Sequence, residues 1–384
     1  MRIAMIGQKG IEIGERGGGI EQHVRALSLH LGKRGHEVTV YARRRYVPVA
    51  SVSTSRSRRN GFFPGVTVRY MPTVYRKNLE AIVHTFLCTL DALLRPYDII
   101  HYHGVGPSTL AWIPRLLKPK ARVVCTFHSQ DRFHKKWGRF GRLYLWFGEW
   151  AACQFPHATI AVSHVIQVYA RKRYGRQIIY IPNGAEVQVV EATDAVLAFG
   201  LEPRQYVLNV GRLVPHKGIQ YLIEAFQKMK EQSGNNRMGL VIVGAATYTS
   251  AYEKQLRGMA IGRNDILFLG YQSGEALRQL YAHAYLYVQP SESEGLPVVV
   301  LEAMSFGRPV LVSDIPENLE AMRRAGFSFA NKSVEDLTEK LMELVNHPEI
   351  VEDAAKDTQE TVRRHFNWEM IAVHTEAVYL SIRH

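Results

Sequence analysis

The feature that most constrains this chain is a repeated alternation. A short β-rich run leads to a glycine or polar loop, then to a segment with helical spacing, and the cycle starts again. "RIAMIG" (Arg2 to Gly7) precedes a glycine-rich loop and an amphipathic helix expected near Ile20 to Arg34, and "GHEVTVYAR" is the next strand. Further strands are predicted at "VTVRYM", "DIIHYH", "RVVCTFH" and "ATIAVS", and "IIYIPNGAE" closes this half on the turn formers Pro182, Asn183 and Gly184. A second series then opens with "QYVLNVGR" and continues through "GLVIVG", "ILFLGYQ", "AYLYVQPS" and "RPVLVSD". Strands that alternate with helices form parallel sheets covered on both faces. The expected fold class is therefore α/β, with two Rossmann-like doubly wound domains facing a cleft. A chain of 384 residues is long enough for each domain to bury its own core. The last segment, "NWEMIAVHTEAVYLSIR", has helical spacing and no strand after it, so it is expected to dock outside the second sheet.

Composition excludes several other classes. With 46% hydrophobic and 22% charged residues the chain is neither disordered nor a membrane bundle. The apolar run Ala81 to Leu94 is too short to span a bilayer and contains His84 and Asp91. "MRIAMIG" lacks the basic start, apolar segment and cleavage site of a signal peptide, which points to the cytoplasm. Cys88, Cys125 and Cys153 are scattered and give neither a disulfide framework nor metal spacing. With no Asp-x-Asp pattern and no clustered His/Cys set, no metal is expected.

The chemistry is expected beyond the carboxyl ends of the strands, where loops enter helix N-termini. In "PSESEGLPVVVLEAMSFGRPV" (Pro290 to Val310), Pro297 suits a first helical position and Gly307 the helix end. Glu294 then lies just before the helix, and Glu302 about five residues inside it, about 7.5 Å along the axis. A helix start is an anion site, and a carboxylate on either side of it accepts hydrogen bonds from hydroxyls. Anion plus polyol describes a nucleotide sugar; a capping Glu294 with an exposed Glu302 is the plainer alternative. The loop "GRLVPHKG" (Gly211 to Gly218) also joins a strand to a helix, and Arg212 and Lys217 on it can both reach a diphosphate. Fixed cations stabilise a leaving diphosphate most in the transition state, where its charge grows.

Together, Glu294-x7-Glu302 and the preceding "GRLVPHKG" resemble family 4 of the retaining, nucleotide-sugar-dependent glycosyltransferases (glycosyl transferases group 1), which have a GT-B fold. The likeness extends over almost the whole chain. "GGGIEQHV" is similar to the family's first glycine-rich loop, "TFHSQD" to its histidine loop, "IPNG" to its domain junction, and the C-terminal helix to one that crosses back to the first domain. It implies an N-terminal acceptor domain of residues 1–186 plus 368–384 and a donor domain of residues 187–367.

By motif position, the resemblance implies that Arg212 and Lys217 hold the diphosphate, Glu294 the donor-sugar hydroxyls and Glu302 the ribose. Gly211 belongs to the donor loop, and the N–H groups of Gly295, Leu296 and Val298 face phosphate or sugar. The base lies near Gly270, Tyr271 and Gln272, although Tyr271 could equally be an edge aromatic. Pro297 replaces a glycine of the commoner pattern and has no N–H to offer. His128 matches the histidine near the reacting centre. His103 and the Gly17, Gly18 and Gly19 loop fall at the acceptor or phosphate side, although a histidine at a strand end is more often structural, and a glycine run also suits a flexible loop. The nucleotide sugar is a substrate and no cofactor is implied. The resemblance further implies retention at the anomeric carbon. No residue is an obvious carboxylate nucleophile, which favours a front-face route.

Charge adds a partner class. Residues 1–190 hold 29 Lys and Arg against 10 Asp and Glu, a net +19, whereas residues 191–384 hold 19 against 25, a net −6. "FHKKWGRFGRLYLWFGEW" (Phe133 to Trp150) mixes cations with aromatics at helical spacing, which suits an interfacial helix or a lipid-linked phosphate. The expected partners are a nucleotide-sugar donor, a lipid-linked or glycan acceptor and an anionic membrane surface. No nucleic-acid-binding module is present. The expected enzyme is a cytoplasmic, peripheral transferase of a hexosyl or N-acetylhexosaminyl group, with a UDP-sugar favoured over GDP-mannose. A soluble enzyme of the same fold with a small-sugar or glucan acceptor, and a binding protein without turnover, are the alternatives.

Overall fold

A computed structural model of the protein describes residues 1–11, 17–46, 63–76, 79–130, 132, 138–233, 237–246 and 250–383. The Ser/Arg-rich loop Ala50 to Gly61 and the segment Phe133 to Trp137 lie outside the described residues. The chain divides into two compact units, Met1–Asn183 with Trp368–His384, and Gly184–Asn367. The division falls at Asn183, within the "IPNG" segment.

Unit 1 carries β1 (Arg2–Ile6), β2 (Glu37–Arg43), β3 (Val66–Met71), β4 (Ile99–His103), β5 (Arg122–Phe127), β6 (Ala158–Ala161) and β7 (Ile179–Tyr180). They form one sheet in the order β3-β2-β1-β4-β5-β6-β7, and every named pair is parallel. Side chains alternate across a strand, so both faces of a covered sheet must be apolar. On β1, Ile3 and Met5 pack with Val24, Leu27 and Leu31 of the helix Gly19–Lys33, while Ala4 and Ile6 pack on the other side with Tyr41, Cys88 and Tyr102.

The C-terminal helix Trp368–Ser381 belongs to unit 1, as the family resemblance implied, and does not dock outside the second sheet, as its apolar spacing alone suggested. Its Trp368, Ile371, Ala372 and Tyr379 belong to the core around β1. The Tyr379 hydroxyl lies 2.7 Å from Nδ1 of His101, and Arg34 and His36 pair with Glu376. Apolar periodicity shows that a helix has a buried face, but not which sheet receives it.

Unit 2 carries β8 (Tyr206–Val210), β9 (Gly239–Val243), β10 (Ile266–Gly270), β11 (Leu286–Gln289), β12 (Val310–Ser313) and β13 (Gly326–Phe329), again parallel, in the order β10-β9-β8-β11-β12-β13. The sequence reading missed β13, a four-residue strand whose "GFSF" is only partly buried. One core joins Leu222, Ile223 and Phe226 of the helix Ile219–Ser233 to Leu240 and Ile242 of β9 and to Leu337 and Leu341 of the helix Val334–Asn346.

In both sheets the strand order reverses beside the first strand of the unit: between β1 and β4, and between β8 and β11. At such a point the loops on either side turn away from each other and leave a crevice at the carboxyl ends. The loop after β8 is Gly211 to Gly218, and the loop after β11 is Pro290 to Pro297. The topology thus puts both sequence motifs of unit 2 at its switch point.

Candidate active site

The two loops of unit 2 are held together by close backbone approach. Gly218 has φ +68°, and a Cβ there would lie 1.9 Å from the Pro290 carbonyl oxygen, so no side chain fits. The Glu292 N–H donates to the His216 carbonyl at 2.8 Å, a second clasp. Gly244 plays the same part on the other side, where a Cβ would lie 1.8 Å from the Gly211 carbonyl oxygen.

This clasp brings Lys217 to Glu294. Lys217 Nζ donates to Glu294 Oε1 at 2.6 Å, and their side chains are only 16% and 10% exposed. The same oxygen accepts from Ser291 Oγ at 2.6 Å and from Gln289 Nε2 at 2.7 Å. Gln289 is fixed in turn by the Tyr287 hydroxyl, which donates to Gln289 Oε1 at 2.7 Å. Burial alone would raise the Glu294 pKa, but the charge and hydrogen bond of Lys217, with Ser291 and Gln289, outweigh it and hold the carboxyl below its usual range. Glu294 is therefore a fixed anion. Arg212, on the same loop as Lys217, is exposed.

Pro297 is not the first helical residue, as its chemistry suggested, but the N-cap, with φ −72° and ψ 103°; the helix runs Val298–Ser305. An N-cap residue has extended backbone, which proline adopts readily. Gly295, Leu296 and Val298 are buried around this helix start. Glu302, on the fifth residue of the helix, has the opposite electrostatics to Glu294. Burial pushes its pKa up to about 7, only partly opposed by the Tyr281 hydroxyl, which donates to Oε2 at 3.1 Å. Tyr281 stacks on Phe306, with ring centroids 5.5 Å apart and planes at 5°. At the end of β10, Gly270 has φ +65°, Gln272 Nε2 donates back to the Leu269 carbonyl at 2.7 Å, and Tyr271 is exposed.

Unit 1 has its own polar centre, also at a switch point. His103 ends β4, His128 follows β5, and His23 lies on the helix after β1. All three are buried. His103 Nδ1 and His128 Nε2 are 3.2 Å apart, and His23 Nδ1 lies 2.9 Å from Asn183 Oδ1. Burial is the main force that keeps all three rings neutral, pulling His23 down to about 4 and His103 and His128 well below the usual histidine value. His23 Nε2 is buried without a hydrogen-bond partner, which costs about 1–3 kcal/mol in an otherwise satisfied interior.

Of the first glycine loop, Gly18 is the extended N-cap (φ −155°) and Gly19 opens the helix Gly19–Lys33. The glycine that the geometry requires here is Gly7, with φ +119° and a would-be Cβ 2.5 Å from the His103 carbonyl oxygen.

Residues 198–361 match the family described as glycosyl transferases group 1, and residues 17–189 match glycosyltransferase family 4. One match falls on each unit. The chain belongs to these glycosyltransferases. Among its relatives is a phosphatidyl-myo-inositol mannosyltransferase of Mycobacterium leprae, 26% identical across 100% of this chain and 97% of the relative. Sucrose-phosphate synthase from Thermosynechococcus elongatus superposes with a TM-score of 0.82 at 21% identity, covering 100% of this chain and 99% of that one. HepE of Anabaena, solved with UDP-glucose, superposes with a TM-score of 0.79 at 18% identity over 99% and 100%. These superpositions establish the GT-B fold class, with two parallel-sheet α/β units.

In this glycosyltransferase, unit 2 brings Lys217 and Glu294 into contact, places Arg212, Gly295 and Leu296 on the same two loops, and puts Val298 at the start of the helix that follows. His103 and His128, ranked unequally in the sequence reading, are hydrogen-bonding partners. Three residues escaped that reading. Gln289 and Ser291, which hold Glu294, look like strand core and turn in "YVQPS". His23 has a helical spacing that reads as an amphipathic face, and only the sheet order brings it to His103 and His128.

Proposed function

We propose that this glycosyltransferase moves a hexosyl or N-acetylhexosaminyl group, with retention, from a nucleotide sugar, UDP-sugars preferred, to a membrane-linked glycan or glycolipid. The observation that carries the donor half is the Lys217–Glu294 contact at the switch point of unit 2, beside a helix N-terminus. Lys217 and Arg212 face the diphosphate, whose negative charge grows as the bond from the anomeric carbon to phosphate oxygen breaks. These side chains, not a metal ion, neutralise it. Glu294, kept ionised, accepts hydrogen bonds from sugar hydroxyls, and Glu302 does so for the ribose. In the front-face route the acceptor oxygen bonds the anomeric carbon on the side the phosphate leaves, and its proton passes to the departing phosphate oxygen. A UDP-glucose complex of the similar HepE supports the donor class.

Glu302 gives the donor site a pH dependence of known sign. Its folded pKa of about 7 lies above the ordinary carboxyl value, so the folded chain binds a proton that the unfolded chain has released. Its contribution to stability is therefore present in acid and is lost as pH rises through about 7. Ribose hydroxyls are accepted by the ionised form, so donor affinity runs the other way. We expect affinity to rise by about tenfold per unit below pH 7 and to level off above it, and Glu302→Gln to flatten the slope. A flat wild-type profile removes Glu302 from the ribose.

The acceptor half rests on the helix Arg139–Gln154. Leu145, Gly148, Ala151 and Ala152 bury one face, and a Cβ at Gly148 would lie 2.5 Å from the Val105 carbonyl oxygen, so the helix sits tight on its neighbour. The outer face carries Arg139, Phe140, Arg142, Leu143, Trp146, Phe147 and Trp150, with Phe140 91% exposed. Cations interleaved with exposed aromatics fit an anionic lipid surface. Among the described residues no helix is long and apolar enough to cross a membrane. The relative named phosphatidyl-myo-inositol mannosyltransferase supports the reading.

The test is sedimentation with anionic and with zwitterionic vesicles, with transfer of labelled sugar into extracted lipid. Binding to anionic vesicles that weakens with salt and drops in Phe140→Ser/Trp146→Ser is the expected result. Equal behaviour on both vesicle types, with label only in water-soluble sugar, would favour a small-sugar acceptor, the reaction class that the name of the structurally similar sucrose-phosphate synthase suggests.

A further inference from the structure

We propose that Glu292 and Lys332 are positioning residues for the donor, which together tie the loop Pro290 to Pro297 in its binding shape before a nucleotide sugar arrives. The inference rests on the donor reading above and gives a role to a third loop of unit 2, the turn Ala330 to Ser333 after β13. Glu294 faces Lys217. Glu292, two residues earlier, is held by other groups. Its Oε1 accepts from the Tyr221 hydroxyl at 2.9 Å, its Oε2 lies 3.2 Å from Lys332 Nζ, and its N–H donates to the His216 carbonyl at 2.8 Å. The Glu292 side chain is only 18% exposed, so this is not a solvated loop carboxylate.

The partners come from separate elements. Tyr221 lies in the first turn of the helix Ile219–Ser233, and its ring abuts the cationic loop, where a Cβ at Gly218 would lie 3.1 Å from Tyr221 Cδ2. Burial, then the hydrogen bond and charge of Glu292, raise the Tyr221 pKa above the ordinary phenol value, so the hydroxyl stays a donor at neutral pH. Glu292 thus links the donor loop to the loop of Lys217 through Tyr221 and His216, and to the turn after β13 through Lys332.

Lys332 makes this contact from a strained backbone. The Ser333 N–H donates to the Ala330 carbonyl at 2.9 Å, and Lys332, the third residue of that turn, has φ +68°. A positive φ at this turn position suits glycine or asparagine and strains a lysine. The turn does not need the Lys332 side chain, because the Asn331 N–H donates to Asp314 Oδ1 at 2.9 Å and the Ala330 N–H to Asp336 Oδ2 at 2.5 Å. A strained residue whose ammonium meets the donor loop points to a use for that ammonium. A loop ordered in advance spares the donor an ordering penalty, so the tether acts on donor affinity.

The experiment compares the full-length wild type with Glu292→Gln, Lys332→Gly, Lys332→Arg and the double variant Glu292→Gln/Lys332→Gly. Amide hydrogen exchange of residues 290–297 is followed without donor, and UDP and UDP-glucose affinities are measured by calorimetry at low and high salt. Exchange should be faster in Glu292→Gln and Lys332→Gly, with affinity lower by about tenfold and about threefold respectively. The double variant should be little weaker than Glu292→Gln, because both changes break one contact. Lys332→Arg, which restores the charge, should match the wild type, and salt should narrow the gap between the wild type and Lys332→Gly. Glycine adopts φ +68° freely, so Lys332→Gly should unfold at the wild-type temperature or above, which separates the loss of affinity from a loss of stability. Wild-type affinity in Lys332→Gly, with or without faster exchange, or an equal loss in Lys332→Arg, would overturn the tether and leave the donor reading intact. A wild type that binds neither UDP nor UDP-glucose would overturn both.

Discussion

Replacing Lys217 by alanine is expected to lower the turnover of the nucleotide sugar by about 10²–10³-fold, the usual effect of removing one preorganised group aimed at developing charge. The structure makes Lys217 such a group. It sits at the end of a short 3-10 turn, Pro215–Lys217, ahead of a glycine whose φ of +68° and contact with the Pro290 carbonyl leave the loop little freedom. Its ammonium already faces inward against Glu294 at 2.6 Å, so little side-chain ordering remains when a diphosphate arrives. Because the growing charge is greater in the transition state than in the bound donor, the loss should fall mainly on kcat and less on KM. Lys217→Ala also strands a buried carboxylate, and breaking such a pair costs about 3–5 kcal/mol. Rates must therefore be compared at a temperature where thermal unfolding shows both proteins folded. A folded Lys217→Ala with near-normal kcat would remove Lys217 from the diphosphate.

The second large effect is expected at Glu294. Glu294→Gln keeps the shape but removes the charge, and we expect kcat to fall by about 10²-fold or more, since a neutral amide accepts hydroxyl hydrogen bonds more weakly and no longer orients Lys217. The environment predicts this sensitivity. Lys217, Ser291 and Gln289 all point donors at the same carboxylate oxygen, an arrangement that would cost burial energy with no return if Glu294 were a simple helix cap. Effects at Lys217 and Glu294 should be far from additive, with the double variant little worse than the weaker single one, because each side chain holds the other. Steady-state rates of the three variants decide it: independent, multiplicative losses would mean that the pair does not act as a unit.

Much of this was legible in the sequence because its signals are local. β-rich runs, glycine loops and helical spacing each report on a few neighbouring residues, and they delivered the two sheets, the loop Gly211 to Gly218 and the helix that follows Glu294. What depended on contacts between distant segments was not legible. The C-terminal helix has an apolar face either way; its spacing does not say which unit it completes, the family resemblance pointed to the first, and the packing of Trp368, Ile371 and Tyr379 beside β1 shows it. Pro297 is compatible with both a first helical position and an N-cap, and backbone torsion at one residue decides between them. Nothing local separates a glutamate near pKa 7 from one held well below it. Glu294 and Glu302 differ because the first meets an ammonium and the second a phenol. The histidine cluster is the extreme case, since a helix residue, a strand end and a loop residue from three distant segments must meet before it exists.

The central claim is that unit 2 binds a nucleotide sugar through Lys217, Arg212 and Glu294. Its most direct test is thermal unfolding of the wild type and of Lys217→Ala across a titration with UDP-sugars, with GDP- and ADP-sugars alongside. A ligand that binds only the folded chain stabilises it by about 2.7 kcal/mol at about 100 times its Kd, so affinities are ranked directly. The account predicts saturable stabilisation of the wild type, largest with a UDP-sugar, and its loss in Lys217→Ala. Unfolding of the wild type that no nucleotide sugar shifts, or a shift that Lys217→Ala retains in full, would contradict it.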